Sequence, residues 1–186
     1  MKDRLAGYFT RAYFKYPVLM GCVAGYMMTK THALMIAQDV FIRPSIAFLY
    51  LAAVVLPYPL VFILPFISMI GSTHPLQVFV SVLVGSQSCF WISRFLRWRG
   101  DKQDRVAAMT IATFLAQFTT ALFKSLTGEM PFLSYLPLGM IKAATAVLPI
   151  VVIGFGALWL MEYSGIVSWR SNEGYRLTGI APGIPK

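Results

Sequence analysis

The residues able to do chemistry are few in this chain and stand apart. It holds two histidines, His32 and His74, and two cysteines, Cys22 and Cys89. Zinc or haem needs imidazole or thiolate ligands converging on one point. His32 and His74 flank the apolar stretch 44–70, so a bilayer crossed by that stretch separates them. Both cysteines lie in apolar runs, a setting for buried thiols rather than a disulfide. Asp39 and Glu162 sit at segment edges, where solvation accounts for them without any acid–base role. No zinc-protease, nucleophile-elbow, phosphate-loop or dinucleotide motif is present. The residue types predict a chain that is not an enzyme, with no catalytic, cofactor or metal site.

Three polar residues fall inside or beside apolar runs: Gln87, Gln117 and Lys142. Such groups need hydrogen-bond partners at membrane depth, each bond worth about 0.6–2 kcal/mol. Gln87 and Gln117 serve either a solute path or contacts between helices or subunits, and the second is the simpler expectation. Lys142, in the first turns of its run, is placed to snorkel to the headgroups.

A basic cluster, Arg94, Arg97, Arg99, Lys102 and Arg105, fills the connection between two uncharged runs. Trp91 and Trp98 bracket its start, as at a membrane interface. The cluster is the candidate headgroup site for an acidic phospholipid, cardiolipin included. The plain alternative is charge that only orients the chain.

The elements that must position these residues are apolar. Of 186 residues 58% are hydrophobic and 12% charged, about half the usual charged share. An uncharged apolar run of about 18 residues can cross a bilayer core as a helix. The expected fold is therefore an all-α, polytopic membrane bundle of about four transmembrane helices plus an N-terminal amphipathic helix. Net charge is +9, with 16 Lys and Arg against 7 acids. Because these cations flank apolar segments, the expected partners are acidic lipids, not nucleic acid.

Residues 1–16 form the amphipathic segment. Leu5, Phe9, Tyr13 and Tyr16 recur at helical spacing, with Arg4, Arg11 and Lys15 on another side. This pattern fits a retained mitochondrial targeting segment and an ordinary basic flank equally. The transmembrane domain covers 17–161. Within it, 17–37 is a helix of uncertain depth with a Gly21-x-x-x-Gly25 pair. Residues 44–70 are uncharged but broken by Pro57-Tyr58-Pro59, as one kinked span or a re-entrant hairpin. Residues 75–93, 106–123 and 138–161 complete the spans, the last kinked at Pro149. Residues 162–186 are a polar tail rich in Gly and Pro, expected to be extended. Such a tail stays ordered only if something outside the chain holds it.

Two stripes of small residues repeat every four positions: Ser81, Gly85, Cys89 and Ser93, then Ala108, Ala112, Ala116 and Thr120. Small residues at that spacing let backbones approach, so 75–93 and 106–123 are expected to pack as an antiparallel hairpin.

Basic connections favour the insertion side. If 44–70 spans and 17–37 does not, only Lys124 and Lys142 fall opposite the other cations. If instead 17–37 spans and 44–70 is re-entrant, Lys30 and Arg43 join them. The first arrangement is the better by the rule.

The functional expectation is a non-catalytic accessory subunit of a large hetero-oligomeric membrane complex. A mitochondrial inner-membrane respiratory or ATP synthase complex fits best, and a bacterial or other membrane stays open. The alternative is a small oligomeric transporter or channel, which requires a cavity touching Gln87, Gln117 or Tyr58.

Overall fold

The computed structural model describes residues 2–30, 34–37, 40–95, 102–163, 167–170 and 174–177, with side chains over 16–30, 43–95 and 102–163. His32, Asp39, Arg97, Trp98, Arg99 and Gly100 lie outside the described residues, as do the side chains of 1–15 and most of the tail.

Helix α1 runs from Lys2 to Lys30, with Pro17 inside it. The amphipathic segment and the Gly21–Gly25 region therefore form one continuous helix. Strands β1, Leu34–Ala37, and β2, Val40–Ile42, then pair antiparallel.

The stretch 44–70 is not one helix. Helix α2, Ser45–Val55, stops at Leu56, whose ψ of 154° is extended, and Pro57 continues extended at ψ 152°. Pro57 biases Leu56 away from helical dihedrals, and Pro59 does the same to Tyr58 at the next helix start. Two short helices follow, α3, Tyr58–Val61, and α4, Leu64–Met69. Ser45 at the start of α2 and Ser72–His74 beyond α4 line one cavity. Both limbs thus begin and end at the same end of the bundle. Tyr58 at the tip packs on Phe90 and Trp91, with ring centroids 5.0 and 5.5 Å away. The geometry is that of a helical hairpin, one of the two forms the sequence left open for 44–70.

Three helices are long and apolar enough to cross a membrane. Helix α5 is Pro75–Phe95 and α6 is Lys102–Leu126. The third begins as α7, Phe132–Pro149, passes through a π turn at Ile150–Gly154 and ends as α8, Phe155–Tyr163. Pro149 supplies no amide donor, and the chain relaxes through the wider turn before resuming α geometry. Large apolar side chains such as Phe66, Leu133, Leu148, Val152 and Leu160 are exposed on the outside. Length, apolarity and that surface fit an integral membrane protein. Beyond α8, β3, Val167–Arg170, pairs antiparallel with β4, Gly174–Leu177.

The core forms around α2. Ala47, Leu49, Tyr50, Leu51, Ala52, Ala53, Val54 and Val55 are all buried. A helix apolar on every side needs protein or lipid on every side. Here α1, α5, α6, α7 and the π turn supply protein. Gly25 opens room on α1 for Phe48, whose ring would lie 2.6 Å from a Cβ at that position.

The hairpin predicts a labelling pattern. Arg43→Cys, Thr73→Cys and Gln103→Cys are each placed in a chain carrying Cys22→Ala and Cys89→Ala. A membrane-impermeant maleimide should reach positions 43 and 73 from one side of a proteoliposome and position 103 from the other. Labelling of 43 and 73 from opposite sides would mean that 44–70 traverses the bilayer.

Candidate functional site

A group of polar and cationic side chains collects at the end of the bundle away from the end of α5 and the start of α6. A cavity of about 420 Å³ opens there. Tyr26 and Lys30 reach it from α1, Arg43 and Ser45 from the start of α2, and Ser72, Thr73 and His74 from the turn after α4. Gln77 and Ser81 line it from α5, Gln117, Thr120 and Lys124 from α6, and Tyr135 and Lys142 from α7.

Lys30, Lys124 and Lys142 each make contacts that fix their place. Lys30 ends α1 and donates to the Ser68 carbonyl at 3.1 Å and to the Ile70 carbonyl. The Tyr26 hydroxyl, one turn earlier, donates to the same Ser68 carbonyl at 3.2 Å. Together they satisfy carbonyls that the end of α4 leaves without helical partners. Lys124 bonds Glu129 at 3.1 Å, on a turn that Gly128 makes with φ +74°. The Tyr135 ring lies between two ammonium groups, with Lys124 Nζ 5.4 Å and Lys142 Nζ 5.8 Å from its centroid. These cation–π contacts let the helices carry like charges near one another. Lys142 stands about 15 Å along α7 by helical rise. It lines the cavity, whereas the sequence placed it for snorkelling.

Gln117 meets α7 where Gly139 lacks a side chain; a Cβ there would lie 3.7 Å from Gln117 Cβ. Among the described residues, the Oε1 atoms of Gln77 and Gln117 are both buried without a hydrogen-bond partner. Gln87 and Tyr58 do not line the cavity, and both amide atoms of Gln87 are buried without a partner. Among the described residues, no three His, Cys, Asp or Glu side chains stand close enough to hold a metal ion.

The small-residue stripes have more than one partner. Ser81 Oγ donates to the Ala116 carbonyl across α5 and α6 at 3.2 Å. Gly85 instead faces Tyr50 of α2, whose ring occupies the space a Cβ would need. The Cys89 thiol points to the Tyr50 carbonyl at 3.7 Å. Ser93, Ala108, Ala112, Ala116 and Thr120 are buried as well.

The basic cluster is divided. Arg94 lies over its own helix, 3.3 Å from the Phe90 ring centroid, and donates to the Phe90 carbonyl. Lys102 pairs with Glu162. Arg105 is buried and donates to the Ser93 carbonyl near the end of α5. A cation at a helix C-terminus meets both the open carbonyls and the helix dipole. Sequence reasoning grouped Arg105 with headgroup ligands and missed this clasp. It also missed Tyr26, Arg43, Gln77 and Tyr135 as cavity residues. The available signal was the second charge arrangement, which sets Lys30, Arg43, Lys124 and Lys142 apart from the other cations.

Comparison with known proteins finds no matching family model, no matching curated protein and no matching solved structure, so chemistry and geometry carry the functional reading.

Arg105→Met should lower stability by about 1.5–3 kcal/mol, the usual cost of losing a hydrogen bond from a charged group. Lys102→Met breaks a partly exposed pair and should cost less than about 1 kcal/mol. Denaturant unfolding in mild detergent measures both, and equal losses would remove the special role of the Arg105 clasp.

Proposed function

We propose that this chain is a small membrane transporter or channel that works as an oligomer, with the cation-lined cavity as its solute site. The observation that carries this reading is the cavity of about 420 Å³ touching Gln117 and Lys142 where a broken-helix hairpin begins and ends. Discontinuous helices are a recurrent way to place polar groups at a transport site. Buried amide oxygens without partners are costly as packing material but useful to a ligand or to water. The sequence has no internal repeat to enclose a path by itself, so several copies would complete it.

Proteoliposomes containing the purified chain should swell faster than empty ones in a panel of small solutes, and Gln117→Leu should slow the gain about tenfold. Swelling equal to that of empty vesicles would end the transport reading.

A second reading is favoured by the outer face of the last helix. Phe155, Trp159 and Tyr163 recur every four residues there and are exposed. Such a stripe suits a neighbouring helix as well as lipid. On this reading the chain is an accessory subunit of a hetero-oligomeric complex, with the mitochondrial inner membrane as the favoured location. Native sizing after mild solubilisation separates the two. Copies of this chain alone support transport; co-migration with other proteins supports the accessory role.

A further inference from the structure

The cavity's charge and its amide oxygens narrow what it holds, and the narrowing rests on the solute-site reading above. Four cations line it: Lys30, Arg43, Lys124 and Lys142. Among the described residues no Asp or Glu lines it; Glu129 reaches Lys124 from outside the lining. Crowding like charges in a half-enclosed space raises the local potential and draws in a counter-ion. These four cations also stand at the opposite end from Arg94, Lys102 and Arg105, so generic orientation charge does not explain them.

Charge alone would admit any anion, and the glutamines are more selective. Gln77 and Gln117 leave buried acceptor oxygens open beside the cations. An acceptor needs a hydroxyl or N–H, which a bare halide lacks. The ligand must accept from ammonium and guanidinium groups and donate to amide oxygen. We propose that the cavity binds a phosphate group that also presents a hydroxyl, either free hydrogen phosphate or a phosphoglycerol headgroup. Its ionised oxygens take the Lys and Arg donors, and its O–H meets Gln77 or Gln117. The cavity exceeds one phosphate in size, leaving room for water or for a glycerol moiety.

The test uses the full chain, delipidated in mild detergent, with two probes. Radiolabelled inorganic phosphate reports a diffusible ligand. Nanodiscs of phosphatidylcholine with and without phosphatidylglycerol, read by native mass spectrometry, report a headgroup. Saturable phosphate binding, or selective retention of phosphatidylglycerol, is expected. Lys124→Gln, Lys142→Gln and Gln117→Leu should each weaken it about ten- to a hundred-fold. Gln103→Leu, on the first turn of α6 and outside the cavity, should not. The proposal is overturned if neither probe binds, or if the cavity variants bind as the wild type does. If those variants do not fold, competition settles the matter on the wild type. Unlabelled phosphate or glycerol phosphate should displace the probe, and equal displacement by chloride would overturn the proposal. Solute flux with neither probe bound would defeat this inference alone; phosphate binding without flux would defeat only transport.

Discussion

An interrupted helix inside a membrane protein must find partners for the backbone groups it frees, because lipid offers none. The break at Leu56–Pro57 sets that requirement, and much of the bundle answers it. Leu56 is fully buried, and its amide still bonds Ala52. The return limb ends at Ser68–Ile70, where Tyr26 and Lys30 supply donors from α1. Around the hairpin, α5 and α6 give protein contact in place of lipid. An 11-residue helix too short to span thereby becomes the centre of the fold.

Placing α2 at the centre explains where the small residues lie. Gly85 and Cys89 leave space that Tyr50 fills, so α5 serves two neighbours along one stripe. Gly154 does the same at the π turn, admitting the Met109 side chain to 3.1 Å of its missing Cβ position. Close packing of this kind supplies dispersion contacts where lipid removes most of the hydrophobic drive for helix association.

Much of this was legible in the residues. Charge-free runs announced α5, α6 and the last helix, and Pro57-Tyr58-Pro59 announced the break. Pro149 announced the disturbance that became the π turn. The path of 44–70 was not legible, because apolar residues facing protein look the same as those facing lipid. The stripe at 81–93 pointed to the neighbouring helix α6 but not to Tyr50 of α2, since small residues accept any close neighbour. Arg105 read as one more surface cation because the uncharged run starts at Val106. The helix starts earlier, at Lys102, so Arg105 lies within it, buried against the end of α5. The cavity needed three dimensions, as its cations lie on four different parts of the chain.

Lys30 holds two positions at once: it closes the end of α4 and it lines the cavity. An ammonium has three protons to give, and two carbonyls already draw on them. A guest that draws on more than the one remaining proton competes with the hairpin's anchorage. Reciprocity then requires that whatever tightens this anchorage against α1 loosens the guest by the same factor. One side chain would then make occupancy of the cavity and the seating of the hairpin a single coupled equilibrium.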